Sequence, residues 1–264
     1  MKKNKSLTIV LIILAFIVLM VILSSAIFCV RNVELNFLSE TINLTGQNEQ
    51  ILASGGFKMG KSVFFCNKNE YIKNLEENNP YIKVLNIETI FPSTLRVNAI
   101  ERNELLCIKG YEDNSLKGYM ILDDELKVLN NQASYQNTYL NSIFVNVEGE
   151  YFENVLAGQV LNNDYSNILK SLSVELLAYR SDVRILKSEF KEIDLSQNAT
   201  TKELNITIKM RTGAEIVLQN ANNRLMGKFM LALSTYDNET DKSNIKIVVY
   251  ENNDGEIVGY KTTK

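Results

Sequence analysis

The hydrophobic pattern begins with an apolar run over residues 7–30 that contains no charged residue. As a helix this run would extend about 36 Å at about 1.5 Å per residue, enough to cross a hydrocarbon core of about 30 Å. A cleaved signal peptide is the alternative, but its apolar region is shorter, about 7 to 15 residues. Lysines precede the run, and a single arginine, Arg31, follows it directly. The pattern therefore predicts a transmembrane helix over residues 7–30, with residues 1–6 in the cytoplasm and the rest of the chain outside.

The next part of the chain changes between strand-like and helix-like periods. Residues 33–37 alternate apolar and polar side chains, as in a half-buried strand. Two helices are predicted next, the second starting after Asn67, whose side chain can form a cap together with Glu70. The predicted order is strand, helix, helix, strand, strand, and the last two strands cover residues 81–90 and 95–102.

Beyond residue 103 the pattern favours strands with a few packing helices. Strict alternation over residues 204–210 indicates a strand with one covered face, and Asn253-Asp254-Gly255 indicates a tight hairpin. The predicted elements are a hairpin over residues 118–129, strands near 183–195, 204–210, 214–218, 245–250 and 256–261, and helices over 164–179 and from Leu225. This order predicts a mostly antiparallel β domain with packing helices, and an α+β fold for the whole chain.

The composition excludes several classes of function. The chain has no His, which removes histidine-based acid–base catalysis and histidine-containing zinc sites. Its net charge is −3, and the lysines ahead of the apolar run leave the remainder more acidic still, so we expect no nucleic-acid partner. The 3 cysteines are too few and too scattered for a thiolate site, and we expect no metal and no cofactor. A disulfide between Cys66 and Cys107 stays open, because the sequence does not show their separation.

Two short motifs offer chemistry but have plainer explanations. Residues 55–62 match the G-x-x-x-x-G-K-S pattern of a nucleotide-binding loop. Such a loop needs a strand before it and a helix starting at its lysine, whereas here a helix is predicted before it and the next helix starts after Asn67. The adjacent acids Asp123 and Asp124 could be catalytic carboxylates, but paired acids in a turn are usually solvated loop residues. We therefore expect no catalytic residues at either place.

Three segments of the first half carry a resemblance to a known family. They are residues 79–83 (NPYIK), residues 91–97 (FPSTLRV) and the pair at residues 101–102 (ER). In their order and spacing they resemble the FtsQ-type POTRA domain of the FtsQ/DivIB family of bacterial cell-division proteins. Pro80 and Pro92 also have folding roles, since the first ends a helix and the second sets a turn.

The second half resembles the same family. Residues 118–129 are similar to a hairpin of the family, with an acidic pair where the family has a glycine. Residues 210–233 resemble a segment in which a hairpin leads into a helix, with Leu225 and Lys228 on the motif positions. Residues 258–260 are similar to the closing strand of the family. The resemblance thus covers essentially the whole chain, and it implies a POTRA domain over residues 31–103 and a β domain over residues 104–264.

The resemblance implies a scaffold of the bacterial division complex, not an enzyme. Such a scaffold is expected to bind FtsL-like and FtsB/DivIC-like proteins and to link assembly of the complex to septal peptidoglycan synthesis, with no small-molecule substrate. Together with the predicted anchor, it implies a single-pass type II protein of the cell membrane at the division septum. A membrane-anchored extracellular cell-wall enzyme or adhesin is the alternative. A carboxylate pair in a concave pocket would favour that alternative, and an exposed edge strand would favour the scaffold.

The partner site is predicted on the closing strand, at Ile257, Val258, Gly259 and Tyr260, with Tyr250 on the strand before it. A terminal strand after a tight hairpin most simply lies at a sheet edge, where its backbone can pair with a partner strand. Gly259 would let a partner backbone approach, and Tyr260 would act as an anchor. The resemblance favours this strand, because the family is understood to receive FtsB there. The alternative is that its apolar residues complete the core.

Overall fold

The computed structural model describes residues 5–40, 44–112, 115–132, 142–147, 155–198 and 200–263. The chain divides into two compact units, residues 1–102 and residues 103–264. We call them the first unit and the second unit. Both contain helices and a sheet, so the chain has the α+β character that the pattern predicts.

The first helix corrects the predicted fold class. Helix α1 covers Lys5–Ile27, and the structure describes its side chains over residues 9–22 and at Ile27, all of them exposed. Among the residues that the structure describes, no helix is both long and apolar enough to cross a membrane. The prediction of a transmembrane helix over residues 7–30 is therefore wrong for this structure.

The rest of the first unit follows the predicted order of strand, helix, helix, strand, strand. Its elements are β1 (Asn32–Phe37), α2 (Asn48–Ser54), α3 (Lys68–Asn78), β2 (Ile82–Ile90) and β3 (Thr94–Glu101). The sheet order is β1-β3-β2, with β1 parallel and β2 antiparallel to β3. The Asn67 side chain accepts a hydrogen bond of 3.3 Å from the Glu70 backbone, which starts α3 as the capping pattern predicts. The two helices and the sheet share a core that includes Ile51, Tyr71, Leu75, Ile82, Leu95 and Val97.

A buried arginine ties the end of this sheet to α3. Arg102 donates to the Ile82 carbonyl at 3.0 Å and to the Glu76 carboxylate at 3.2 Å. Glu76 also accepts from the Val84 backbone at 2.8 Å, so one carboxylate serves both the arginine and the edge of β2. Arg102, the last residue of the ER motif, therefore has a structural role, which is to join β2 to α3.

The second unit is built on one sheet of nine strands. The strands are β4 (Leu106–Glu112), β5 (Ser115–Leu122), β6 (Val128–Gln132), β7 (Ile143–Val147), β8 (Phe190–Gln197), β9 (Leu204–Met210), β10 (Glu215–Leu218), β11 (Ile245–Glu251) and β12 (Ile257–Thr263). Their order is β12-β11-β10-β9-β8-β7-β4-β5-β6. Neighbours are antiparallel except at the pairs β11–β10, β8–β7 and β7–β4, which are parallel. The sheet is thus mostly antiparallel.

Three helices cover one face of this sheet. They are α4 (Ser166–Tyr179), α5 (Val183–Glu189) and α6 (Leu225–Asp237). Along β9 the buried and half-buried residues alternate strictly, and the buried set faces the helices. The shared core includes Leu169, Leu176, Leu186, Ile206, Ile208, Phe229 and Leu233. The opposite face carries polar and charged side chains over much of its width.

Helix α5 differs from the prediction of a strand near residues 183–195. Asp182 accepts from the Arg184 backbone at 2.8 Å and caps the helix, and Leu186 is buried beneath it. Val183 and Leu186 stand three residues apart, which is the spacing of one helix face, and both contact the core. The strand prediction is correct only from Phe190 onward.

Candidate partner-binding edge

The hairpin of β11 and β12 is closed by a tightly bonded turn. The Asn252 side chain accepts from the backbone of Asp254 at 3.0 Å and of Glu256 at 2.8 Å. Gly255 takes a left-handed conformation with φ of 79°, which a glycine adopts at little cost. The register that results pairs Tyr250 with Val258, and Val248 with Tyr260. The turn therefore decides which residues of β12 share a face.

One face of β12 packs toward helix α6. Ile257 is half-buried against the core, and its Cδ1 atom lies where Gly227 of α6 leaves space for it. Gly259 lies opposite Val249, and a Cβ atom there would meet Val249 at 3.4 Å and Leu231 at 3.7 Å. The side chain that Gly259 lacks would thus point at α6. This placement replaces the expectation that Gly259 opens space for a partner backbone.

The other face of the hairpin carries an apolar and aromatic group in which Val248 is buried and the other members are at least partly exposed. Val248, Tyr250, Val258 and Tyr260 share this face, and the rings of Tyr250 and Tyr260 meet edge-on with centroids 6.1 Å apart. Tyr260 is 50% exposed, while Tyr250 and Val258 are half-buried. We call these four residues the hairpin patch. Tyr250, Val258 and Tyr260 come from the predicted site, and the structure brings them together.

Two basic side chains at the start of α6 bond neighbouring turns, and sequence reasoning did not assign them to the site. Arg224 donates to the Gly255 carbonyl in the hairpin turn at 2.5 Å. Lys228 is buried, and its ammonium donates to the carbonyls of Gln219 at 3.0 Å and Asn220 at 2.7 Å. Burial lowers the pKa of Lys228, the nearby Glu251 raises it and Arg224 lowers it. The motif position of Lys228 was the sequence signal that could have pointed to this residue, but only the structure shows that its ammonium bonds the carbonyls of Gln219 and Asn220.

The outer side of β12 is the end of the sheet. Within the described ranges of the second unit, no strand follows β12 in the sheet order. The residues Ile257 to Tyr260 carry no charge and no proline, which are the usual means of blocking an edge. Lys261 is the first charged residue along the strand, and its ammonium is ion-paired with Glu239 at 2.8 Å. The backbone of β12 can therefore accept a further strand.

The other motifs singled out in the sequence have structural explanations. Residues 55–62 follow helix α2, and the backbone of Ser62 forms a single antiparallel β-bridge with that of Cys29. Helix α3 begins only at Lys68, so no helix starts at Lys61 to hold a phosphate. Asp123 is buried and accepts from the backbone of Glu125 at 2.9 Å and of Lys127 at 2.7 Å, which makes it a turn-forming residue. Cys66 and Cys107 are both free thiols in this structure.

The carboxylates that the sheet brings together are ion-paired. Glu192 and Asp194 lie on the open face of β8, where Lys109 contacts Glu192 at 2.9 Å and Lys209 contacts Asp194 at 2.7 Å. Asn146 donates to both carboxylates. A separate cleft of about 490 Å³ beside α4 is lined by one carboxylate, that of Asp164, among polar and apolar neighbours. Neither arrangement is a carboxylate pair facing a pocket, whereas the exposed edge strand is present.

Comparison with known proteins agrees with this architecture. Residues 40–102 match the family model described as "POTRA domain, FtsQ-type". The chain is similar to the cell division protein DivIB of Clostridium botulinum strain Hall, with 25% identity over 195 residues that cover 70% of each chain. It is also similar to the cell division protein DivIB of the Loch Maree strain, with 24% identity over the same length and the same coverage.

The first unit thus contains an FtsQ-type POTRA domain, followed by a sheet unit within a chain that aligns with these relatives over most of its length. The resemblance drawn from the sequence motifs is confirmed. The domain match and the two relatives named DivIB support the FtsQ/DivIB family of bacterial cell-division proteins.

Proposed function

We propose that this chain acts in bacterial cell division as a non-enzymatic scaffold that receives a protein partner along strand β12. The observation that carries this proposal is an edge strand that has no charged residue over residues 257–260 and that bears the hairpin patch on one face. Added strands gain affinity from main-chain hydrogen bonds and specificity from side chains on alternate positions. Tyr260 and Tyr250 offer large, partly exposed rings of the kind that dominates binding energy at interfaces.

The partners proposed for this edge are FtsL-like and FtsB/DivIC-like proteins at the division septum. The two relatives are named cell division proteins, which supports a role in division for this chain. The resemblance of the closing strand to the family supports β12 as the place of contact. In this role the chain links assembly of the division complex to septal peptidoglycan synthesis.

The test is binding of the Tyr260→Ala chain to the FtsL-like and DivIC-like proteins of its source organism, produced together with it and purified. We expect this substitution to weaken partner binding by more than about 1 kcal/mol, because it removes an aromatic anchor from the hairpin patch. Since Tyr260 is 50% exposed, the unfolding midpoint of the chain should change little.

The matched control is Val174→Ala, which trims an apolar side chain that is 57% exposed on α4. This variant should bind as the parent chain does. Equal loss of binding and thermal stability in Tyr260→Ala would assign Tyr260 to the core. Unchanged binding in Tyr260→Ala, or an equal loss in both variants, would remove the hairpin patch as the partner site.

A further inference from the structure

Phenylalanine rings from separate segments cluster at one end of the first unit. Phe28 follows α1, Phe64 lies in the loop before α3, and Phe91 lies in the turn between β2 and β3. Their ring centroids are 5.6 Å apart for Phe28 and Phe64, 5.6 Å for Phe64 and Phe91, and 6.0 Å for Phe28 and Phe91. Phe64 and Phe91 are each 59% exposed, and Phe65 is 88% exposed. We call these four residues the phenylalanine tip.

The backbone holds the segments of this tip together. Val63 donates to the Phe28 carbonyl at 2.9 Å, and Val30 donates to the Lys61 carbonyl at 2.8 Å. Arg31 donates to the Ser93 carbonyl at 2.9 Å, which fixes the turn that carries Phe91. The rings are therefore exposed on a bonded framework, and their exposure is a property of the fold.

The segment that carries Phe64 and Phe65 is rich in lysine, although the chain has a net charge of −3. Residues 50–69 contain Lys58, Lys61 and Lys68 and no acidic residue. Lys58 is 3.8 Å from Glu70, and Lys61 is exposed in the same loop as Phe64. Exposed aromatic rings beside lysines fit a surface with an apolar interior and anionic groups above it.

The helix that precedes the tip also exposes apolar side chains. Helix α1 ends at Ile27, directly before Phe28, and its side chains over residues 9–22 are exposed. A second copy of the chain is a poor occupant of the tip, because two basic tips would repel each other. An anionic bilayer surface satisfies the rings and the lysines together.

We propose that the phenylalanine tip inserts into the interface of an anionic lipid bilayer, with Lys61 and Lys68 contacting lipid phosphates. The contact is made by the side chains of the tip. It places the end of the POTRA-containing unit that carries Phe64 and Phe91 against the lipid. It is independent of β12, which lies in the other unit.

The absence of tryptophan from the chain allows a local test. The full chain with Phe65→Trp is mixed with vesicles of equal parts phosphatidylglycerol and phosphatidylcholine, and separately with phosphatidylcholine alone. We expect a blue-shifted emission and strong quenching by brominated lipid with the anionic vesicles. Bulk binding is not the readout, because exposed apolar residues of α1 can bring the chain to any vesicle.

The matched control is Leu38→Trp in the same unit. Leu38 is 59% exposed and follows the far end of β1, about 20 Å from the tip at about 3.3 Å per residue. Its tryptophan should not be quenched. In the Phe65→Trp chain, Lys61→Gln should weaken partitioning of the tip about fivefold, whereas Lys73→Gln on α3 should have no effect.

Each other outcome overturns the proposal. Absent quenching of Phe65→Trp with both vesicle types would remove the lipid contact. Equal quenching of Leu38→Trp would show unspecific embedding of the whole unit. A concentration-dependent emission shift without lipid would assign the tip to contact between copies of the chain. Unchanged partitioning in Lys61→Gln would remove the role of the lysine.

Discussion

Ion pairs hold together a cluster of charged side chains on the open face of the sheet in the second unit. Lys209 donates to Asp194 at 2.7 Å and contacts Glu192 at 3.4 Å, and Lys109 contacts Glu192 at 2.9 Å from β4. Partial burial alone would raise the pKa of Glu192. Hydrogen bonds from Lys109 and Asn146, and the charges of the two lysines, outweigh burial and lower this pKa to about 2. These contacts therefore stabilise the ionised form of Glu192.

A pH dependence of stability follows from this single carboxylate. Its pKa is lower in the folded chain than its ordinary value of 4.5, so its contribution is complete above about pH 4.5 and is lost as the pH falls toward 2. We expect the free energy of unfolding, measured by urea titration, to fall over that range by on the order of 1 kcal/mol from this group, since Lys209 is partly exposed to solvent.

Glu192→Gln should be less stable than the parent chain at pH 7 and should lose less stability between pH 4.5 and 2. Glu256→Gln, which changes an exposed carboxylate in the hairpin turn, is the control and should follow the parent curve. If Glu192→Gln and the parent chain lose stability in parallel, the cluster does not depend on the charge of Glu192.

At the scale of elements, helix α6 connects the interior of the sheet to its edge. Its residues Phe229 and Leu233 are buried and pack on the core. Lys228 donates to the turn before the helix, and Arg224, just ahead of the helix, donates to the hairpin turn. Leu231 lies beside the position where a Cβ atom on Gly259 would be. The position of β12, and with it the shape of the hairpin patch, depends on this helix.

Lys228→Met tests that dependence. Methionine keeps much of the volume but leaves the carbonyls of Gln219 and Asn220 without the ammonium donor, and buried polar groups that lose a charged partner cost about 2 kcal/mol. We expect a loss of that size in the free energy of unfolding. Partner binding should weaken as well if the hairpin shifts.

Lys261→Met on β12 is the control for this substitution. It removes an ion pair to Glu239 whose lysine side chain is 50% exposed, and such pairs contribute about 0 to 1 kcal/mol. An equally small effect of Lys228→Met would show that the two carbonyls find other partners, and that α6 is held by its apolar contacts alone.

At the scale of the whole molecule, the two proposed binding surfaces lie on different units. The first unit contains the POTRA domain and the phenylalanine tip, and the second carries the edge strand. Each unit has its own apolar core, so a substitution in one core should leave the fold of the other intact.

The division role predicts where the protein gathers in cells. A fluorescent fusion of the full chain should concentrate at division sites during septation. A fusion that lacks residues 31–102 should gather there poorly, because it loses the unit that contains the POTRA domain. Fluorescence microscopy of dividing cells checks both. A uniform distribution of the intact fusion during septation would contradict the division role.

Local patterns predicted most of the elements. Strict alternation placed β9, the Asn67 and Glu70 pair placed the start of α3, and the Asp-Gly turn placed the β11–β12 hairpin. These signals act between residues close in the chain, so no tertiary contact is needed to read them. Residues 183–189 are the exception, because a short apolar segment reads as helix or strand until its buried neighbours are known.

The sequence by itself determined the α+β class, the order of elements in the first unit and the apolar and aromatic residues of the hairpin. The tertiary structure alone decided that Gly259 faces α6 and that Lys228 bonds two carbonyls. It also brought Phe28, Phe64 and Phe91 together from three segments. The physical reason is the sequence separation over which each signal acts. Periodicity is local and shows which face of an element is apolar, whereas the residues that pack on that face come from segments far away in the sequence.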